Sequence, residues 1–132
     1  MSELLEHIQT NIDSIEDDIV IAEMANLKYD KTGIKNWVIF ATSKYPRKRP
    51  RIKLATRGSD TRNPRKNTVI YIDTVEIDPA KDHSGAPTKI KERVLKFLRD
   101  KDNNKTLLKF WNTGEDMSTD EIAELFKEMN HY

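Results

Sequence analysis

The residues best suited to chemistry in this chain are cations, and they are concentrated. Lys44, Arg47, Lys48, Arg49, Arg51, Lys53, Arg57, Arg62, Arg65 and Lys66 lie within 23 positions that hold one acid, Asp60, for a local charge of +9. Such density suits neutralisation of phosphates with release of their counterions. Arginine predominates, and its planar fork matches phosphates and base edges. Tyr45 sits among these residues, where its ring can stack on an unpaired base. With Tyr45, the ten cations form the candidate nucleic-acid surface. Two other uses compete. The acidic residues of the first segment (Glu3, Glu6, Asp13, Glu16, Asp17 and Asp18) can pair with the cations within the chain, and an acidic protein partner can do so between chains.

Other reactive types are sparse. There are three histidines, His7, His83 and His131, and no cysteine. The lack of cysteine excludes disulfides, thiol nucleophiles and Cys–zinc sites. His83 stands beside Asp82, the minimum for general acid–base work on RNA, so these two are the weak catalytic candidates. A loop His next to an Asp is far more often solvated chain. Asp73, Glu76 and Asp78 line one segment, with Glu76 and Asp78 sharing a face. Two carboxylates are too few oxygens for a Mg²⁺ site, and charge on an edge strand is the better reading. The sequence therefore calls for no metal and no cofactor, and favours a binding role over an enzymatic one.

These residues need elements to position them. The chain has 132 residues, 36% hydrophobic and 34% charged, a length that fits one domain, 1–132. The net charge of +1 hides the asymmetry: residues 1–43 carry −5 and residues 67–132 carry −3. Leu4, Ile8, Ile12, Ile15, Ile19 and Ala22 follow helical spacing and predict a helix from about Ser2 to Ala25. Within it, the β-branched run at Ile19–Ile21 offers a strand as the alternative. Asn36–Ser43 predicts a strand buried on both faces near its middle. Arg51–Arg57 alternates, with Ile52 and Leu54 inward and Arg51 and Lys53 on an exposed basic face. Prolines 46 and 50 break the two strands apart. If they pair as a hairpin, the basic cluster is its tip.

Thr68–Ile77 reads as one further strand, and 58–67 and 78–87 as loops of about ten residues. Thr88 is placed as the cap of a helix over Lys89–Asp100. Asn103-Asn104 separates it from a short helix through Leu107, Leu108, Phe110 and Trp111 that ends near Gly114. Ser118 and Glu121 form a capping box for a last helix that reaches about Met129. Phe110 and Trp111 are adjacent, so one of them is expected to stay partly exposed for a partner. Trp37, Phe40, Trp111, Phe110 and Phe126 read as core rather than as a binding floor. The fold class is α+β: a small, mostly antiparallel sheet of about three to four strands, flanked by an N-terminal helix and C-terminal helices.

The strand, its Pro-containing basic break, Pro50-Arg-Ile-Lys-Leu, the Asp78-Pro segment and Leu107-Leu-Lys-Phe-Trp-Asn-Thr-Gly-Glu-Asp-Met-Ser-Thr-Asp-Glu-Ile together carry a resemblance over about 36–126. The pattern resembles a family of small bacterial domains often encoded in toxin–antitoxin-like gene pairs. Relatives carry a His-containing Pro-rich motif at the place of Tyr45–Arg51, and this chain has Arg47, Lys48 and Arg49 there instead. The resemblance implies a small bacterial or phage-borne regulatory or interaction protein, with a partner from a neighbouring gene.

The expected function is thus a small regulatory nucleic-acid-binding protein, for RNA or DNA, working through a basic hairpin tip. Next come a protein–protein module of toxin–antitoxin or phage-inhibitor type that presents the basic loop to an acidic partner, and third a ribonuclease using His83. No apolar run approaches the ~20 residues that span a bilayer. Positions 1–18 are acidic and lack a secretory pattern, so a cytoplasmic protein is expected.

Overall fold

The computed structural model describes residues 18–23 by their backbone, together with 37–42, 44, 48–56, 58–59, 63–127 and 129. Five strands come first: β1 (Asp18–Glu23), β2 (Trp37–Thr42), β3 (Arg51–Thr56), β4 (Thr68–Tyr71) and β5 (Glu76–Asp82). Each pairs antiparallel with the next, so the sheet order is the chain order. Helices α1 (Thr88–Arg99), α2 (Lys101–Thr113) and α3 (Thr119–Phe126) follow. The fold is α+β with an antiparallel sheet, and the sheet has one strand more than the upper expectation.

Two strands occupy places where the sequence pointed elsewhere. Residues 18–23 are β1 rather than the end of a long helix, with Ile19 opposite Ala41 and a bulge between Val20 and Ala22. Three consecutive β-branched residues, Ile19-Val20-Ile21, favour that outcome once β2 offers a ladder. The earlier part of the expected helix lies outside the described residues. The second difference is Thr68–Ile77, which is not one strand. The chain turns over 72–75, and β5 returns along β4 with Ile70 opposite Ile77 and Thr68 opposite Asp82. The expected loop at 78–87 thereby shrinks to 83–87. Pro79 is tolerated in β5 because β5 is an edge strand. Val75 has φ 53°, a costly conformation for a β-branched residue, and its side chain packs against the main core.

One face of the sheet carries the core. Ile39 faces Leu54, and Ala41, Ile52 and Ile70 form a row across β2, β3 and β4. These residues meet Ile90, Val94, Phe97 and Leu98 of α1, Leu107 and Phe110 of α2, and Ile122 and Phe126 of α3 in one cluster. Each such side chain stabilises the fold by about 1.5–3 kcal/mol when fully buried. On the other face Val38, Phe40 and Ala55 make a second, smaller cluster.

Buried asparagines join α1 to α2. Asp100 caps α2 by accepting the amides of Asp102 and Asn103. Asn103, fully buried, donates its side-chain amide to the Phe97 carbonyl. Asn104 donates to the carbonyls of Leu98 and Ile72, tying the helix junction to the end of β4. The Asn pair therefore sits inside the first turn of α2 and satisfies the open carbonyls of α1, where the sequence suggested a break. The cap of α1 is Pro87, not Thr88.

Phe110 and Trp111 are both buried, at 3% and 4% exposure, so neither is held out for a partner. Phe110 joins the main core and packs on Phe126 with ring centroids 5.2 Å apart. The Trp111 carbonyl accepts the Lys44 amide at 3.0 Å, which pins the β2–β3 connection to α2. The Ser118–Glu121 capping box forms as expected. α3 ends at Phe126, and Met129 is buried beyond it.

Candidate functional site

β3 divides the basic segment. It runs six residues, about 17 Å at ~3.3 Å per residue. The connection before it, 43–50, lies at one end of the sheet beside the β4–β5 turn. The connection after it, 57–67, lies at the other end, beside 83–87 and the start of α1. The described cations therefore do not form a single tip. Lys44, Lys48 and Arg49 belong to the hairpin end, and Arg65 and Lys66 belong to the far end. Tyr45, Arg47, Arg57 and Arg62 lie outside the described residues.

At the hairpin end, arginine is consumed by the protein's own acids. The Arg49 Nε donates to both carboxylate oxygens of Asp73, at 3.2 and 3.1 Å, and its Nη2 donates to the Thr74 hydroxyl. Its guanidinium carbon lies 3.8 Å from the centre of the Tyr71 ring, and that of Arg51 lies 5.3 Å from it. The Arg51 Nε donates to the Arg49 carbonyl. The Tyr71 hydroxyl donates to Asp78, whose Oδ1 also accepts the Ala80 amide.

The titrations follow this geometry. The bond to Asp78 raises the Tyr71 hydroxyl above its ordinary value, and burial adds to that. The same bond holds Asp78 below the usual carboxylate range. Burial pushes the Asp73 carboxyl up, but the Arg49 hydrogen bond and charge outweigh it, and the net direction is down. Asp73, Glu76 and Asp78, read from the sequence as edge charge, thus serve this end as partners for the tip arginines. Arg49 thus pairs within the chain with an acid of the β4–β5 turn, while the side chains of the first-segment acids expected to compete for the cations lie outside the described residues.

Lys53 differs from expectation in another way. Arg51, Lys53 and Ala55 do alternate away from Ile52 and Leu54, but that face is not open. Lys53 is 8% exposed and Ala55 fully buried. Of the basic residues along β3, Arg51 is half-buried and Lys53 buried, so the strand presents no open row of cations.

Lys44, Lys48, Arg65 and Lys66 behave differently. All four are exposed, and none of their side chains has an ion-pair or hydrogen-bond partner among the described residues. Arg65 and Lys66 stand on a single 3₁₀ turn, Pro64–Lys66, capped by the Asn63 side chain.

The far end also carries Asp82 and His83. One Asp82 oxygen accepts from the Thr68 hydroxyl at 2.8 Å and the other from Lys91 Nζ at 2.9 Å. Thr68 in turn bonds the Ser84 hydroxyl, and Ser84 accepts the Ala86 amide. This chain of bonds fastens 83–87 to β4 and α1. The hydrogen bond of Lys91, then that of Thr68, holds the Asp82 carboxyl below its ordinary range against the opposing effect of burial. His83 is exposed, its Nε2 lies 3.1 Å from the Ala80 carbonyl, and its amide bonds the Asn67 carbonyl. The two side chains of the His83–Asp82 pair do not bond each other.

The bond between His83 and Asn67 brings two further cations to this end, Lys81 of β5 and Lys89 of α1. Both are exposed, and neither side chain has a hydrogen-bond or ion-pair partner among the described residues, though the charge of Lys81 acts on Asp78. Sequence reasoning missed them because they lie 15 or more positions beyond the basic run. The signal that exposes them is the pairing of Thr68 with Asp82, invisible while 78–87 reads as a loop.

Among the described residues no three His, Asp or Glu side chains gather to hold a metal ion, and no helix is long and apolar enough to cross a membrane. Comparison with protein-family models, with curated proteins and with solved structures finds no match to this chain.

Proposed function

We propose that the protein is a small regulatory nucleic-acid-binding domain that grips the phosphate backbone with the cations its own acids do not occupy. One observation carries this reading. Of the seven described cations in the +9 segment, Lys44, Lys48, Arg65 and Lys66 stay exposed and unpartnered, while Arg49 is spent on Asp73 and Lys53 is buried. An unpaired surface cation costs little in a monomer, and a cluster of them raises the local concentration of a polyanion. Association should therefore weaken steeply with salt, since each neutralised phosphate releases counterions.

The test is electrophoretic mobility with short RNA, single-stranded DNA and duplex DNA across a salt series. Salt-sensitive retardation that is lost when Lys44, Lys48, Arg65 and Lys66 are replaced by alanine supports the reading. No retardation of any of the three sinks it. The same exposed cations would then be assigned to an acidic protein partner, as in the gene-pair arrangement implied by the resemblance.

A further inference from the structure

The geometry points to the far end of the sheet, which carries Arg65, Lys66, Lys81 and Lys89, as a contact surface for the phosphate backbone of duplex nucleic acid. This inference deepens the function proposed above and rests on it. Three separate parts of the chain supply the cations: the turn before β4, the end of β5 and the first turn of α1. Pairing of Thr68 with Asp82 and the bond from the His83 amide to Asn67 hold those parts together. The one described acid between them, Asp82, is already committed to Lys91 and Thr68. The first turn of α1 carries no acid.

The hairpin end offers less. Its two exposed lysines, Lys44 and Lys48, share that end with Asp73, Glu76 and Asp78, which already draw in Arg49. A polyanion approaching there meets three carboxylates beside two exposed lysines, whereas at the far end Glu92 of α1 is the exposed carboxylate among the described residues, beside four exposed cations.

The chemistry of the surface selects the partner. Its other exposed or half-buried members are Asn63, Pro64, Ser84, Gly85 and Thr88. Protein interfaces are built around an apolar or aromatic centre, and this surface has none. Protein–DNA interfaces are polar and strongly positive, as this one is. Single-strand binders stack bases on aromatic rings. Tyr71 lies at the opposite end of the sheet, and Trp37 packs against the main core. The exposed ring at this end, His83, has its Nε2 at the Ala80 carbonyl. A surface otherwise made of cations reads backbone charge, and a duplex presents that charge most densely.

The experiment is fluorescence anisotropy of the full-length protein with a labelled 20-bp DNA duplex and with one of its strands, from 50 to 200 mM NaCl. Arg65→Gln/Lys66→Gln/Lys89→Gln is measured beside Lys44→Gln/Lys48→Gln. All five side chains are exposed and have no partner among the described residues, so thermal melting should match the wild type for both variants. The inference predicts tighter binding of the duplex than of the strand. It also predicts that the far-end variant flattens the slope of log K against log salt by about 0.9 per contact removed, with at least a ~10-fold loss of affinity at the lowest salt. The hairpin variant should change both by much less. A loss confined to the hairpin variant, or a preference for the single strand, overturns this inference and leaves the proposed function standing. Absence of wild-type binding to either DNA probe overturns this inference, and the RNA arm of the mobility experiment then decides the proposed function.

Discussion

Asp82 shows how one residue can look catalytic and act as a fastener. Next to His83 in sequence, it has the composition of an acid–base pair, but the fold turns its two oxygens to Thr68 and Lys91. Its folded-state pKa is depressed, so the unfolded chain binds the proton more tightly. The stabilisation is complete above the ordinary carboxylate pKa of about 4 and is lost as the pH falls through the folded-state value. Asp82→Asn should lower stability at pH 7 by about 1–2 kcal/mol, since a charged acceptor of two hydrogen bonds is removed. It should also flatten the decline of the melting temperature below about pH 4. Thermal unfolding of both proteins from pH 2 to 7 checks this, and parallel curves would remove the argument. Arg49 makes the related point for binding. Its type and position suggested a phosphate contact, but what it does was decided by Asp73, 24 positions away.

At the scale of elements, what the sequence showed and what it hid have separate causes. The two strands around the proline break, the helix after Pro87 and the Ser118 capping box were legible because each has a local signal: β-branched runs, helical spacing, a capping pair. The β4–β5 hairpin was not, because Thr68–Ile77 is continuously strand-like and its turn contains no Gly, Pro or Asn. The chain reverses there with Val75 in a left-handed conformation and its side chain packed on the core. Asn103 and Asn104 misled in the opposite direction, since polar residues that suggest a break are here the bonds between two helices.

α2 ends at Gly114, as expected, and this C-cap residue has φ −60°, which any residue adopts. Its glycine is needed for room. A Cβ there would lie 2.5 Å from Cε1 and 2.7 Å from Cδ1 of Phe110, a ring held against Phe126. Gly114→Ala should therefore destabilise by about 1–3 kcal/mol through overpacking. Chemical denaturation reads that loss directly, and an unchanged midpoint would show that the ring has space to yield.

For the whole molecule, the charge map is set by topology rather than by sequence order. The sequence places ten cations in one run, and β3 separates the described ones, with Lys44, Lys48 and Arg49 before it and Arg65 and Lys66 after it. One end is tempered by the β4–β5 acids, and the other gains Lys81 and Lys89 from distant positions. The candidate site was thus legible in kind, as a basic surface, but not in place. Placing it requires the strand pairings, which depend on contacts far apart in sequence.

The most direct test is to titrate ¹⁵N-labelled protein with a short DNA duplex and follow the backbone amide signals by NMR. The account predicts salt-sensitive shifts centred on 63–68, 81–84 and 88–91, with weaker changes at 44–50. Shifts confined to 44–50 would restore the hairpin tip as the contact. An unchanged spectrum at low salt would contradict the duplex contact at either end.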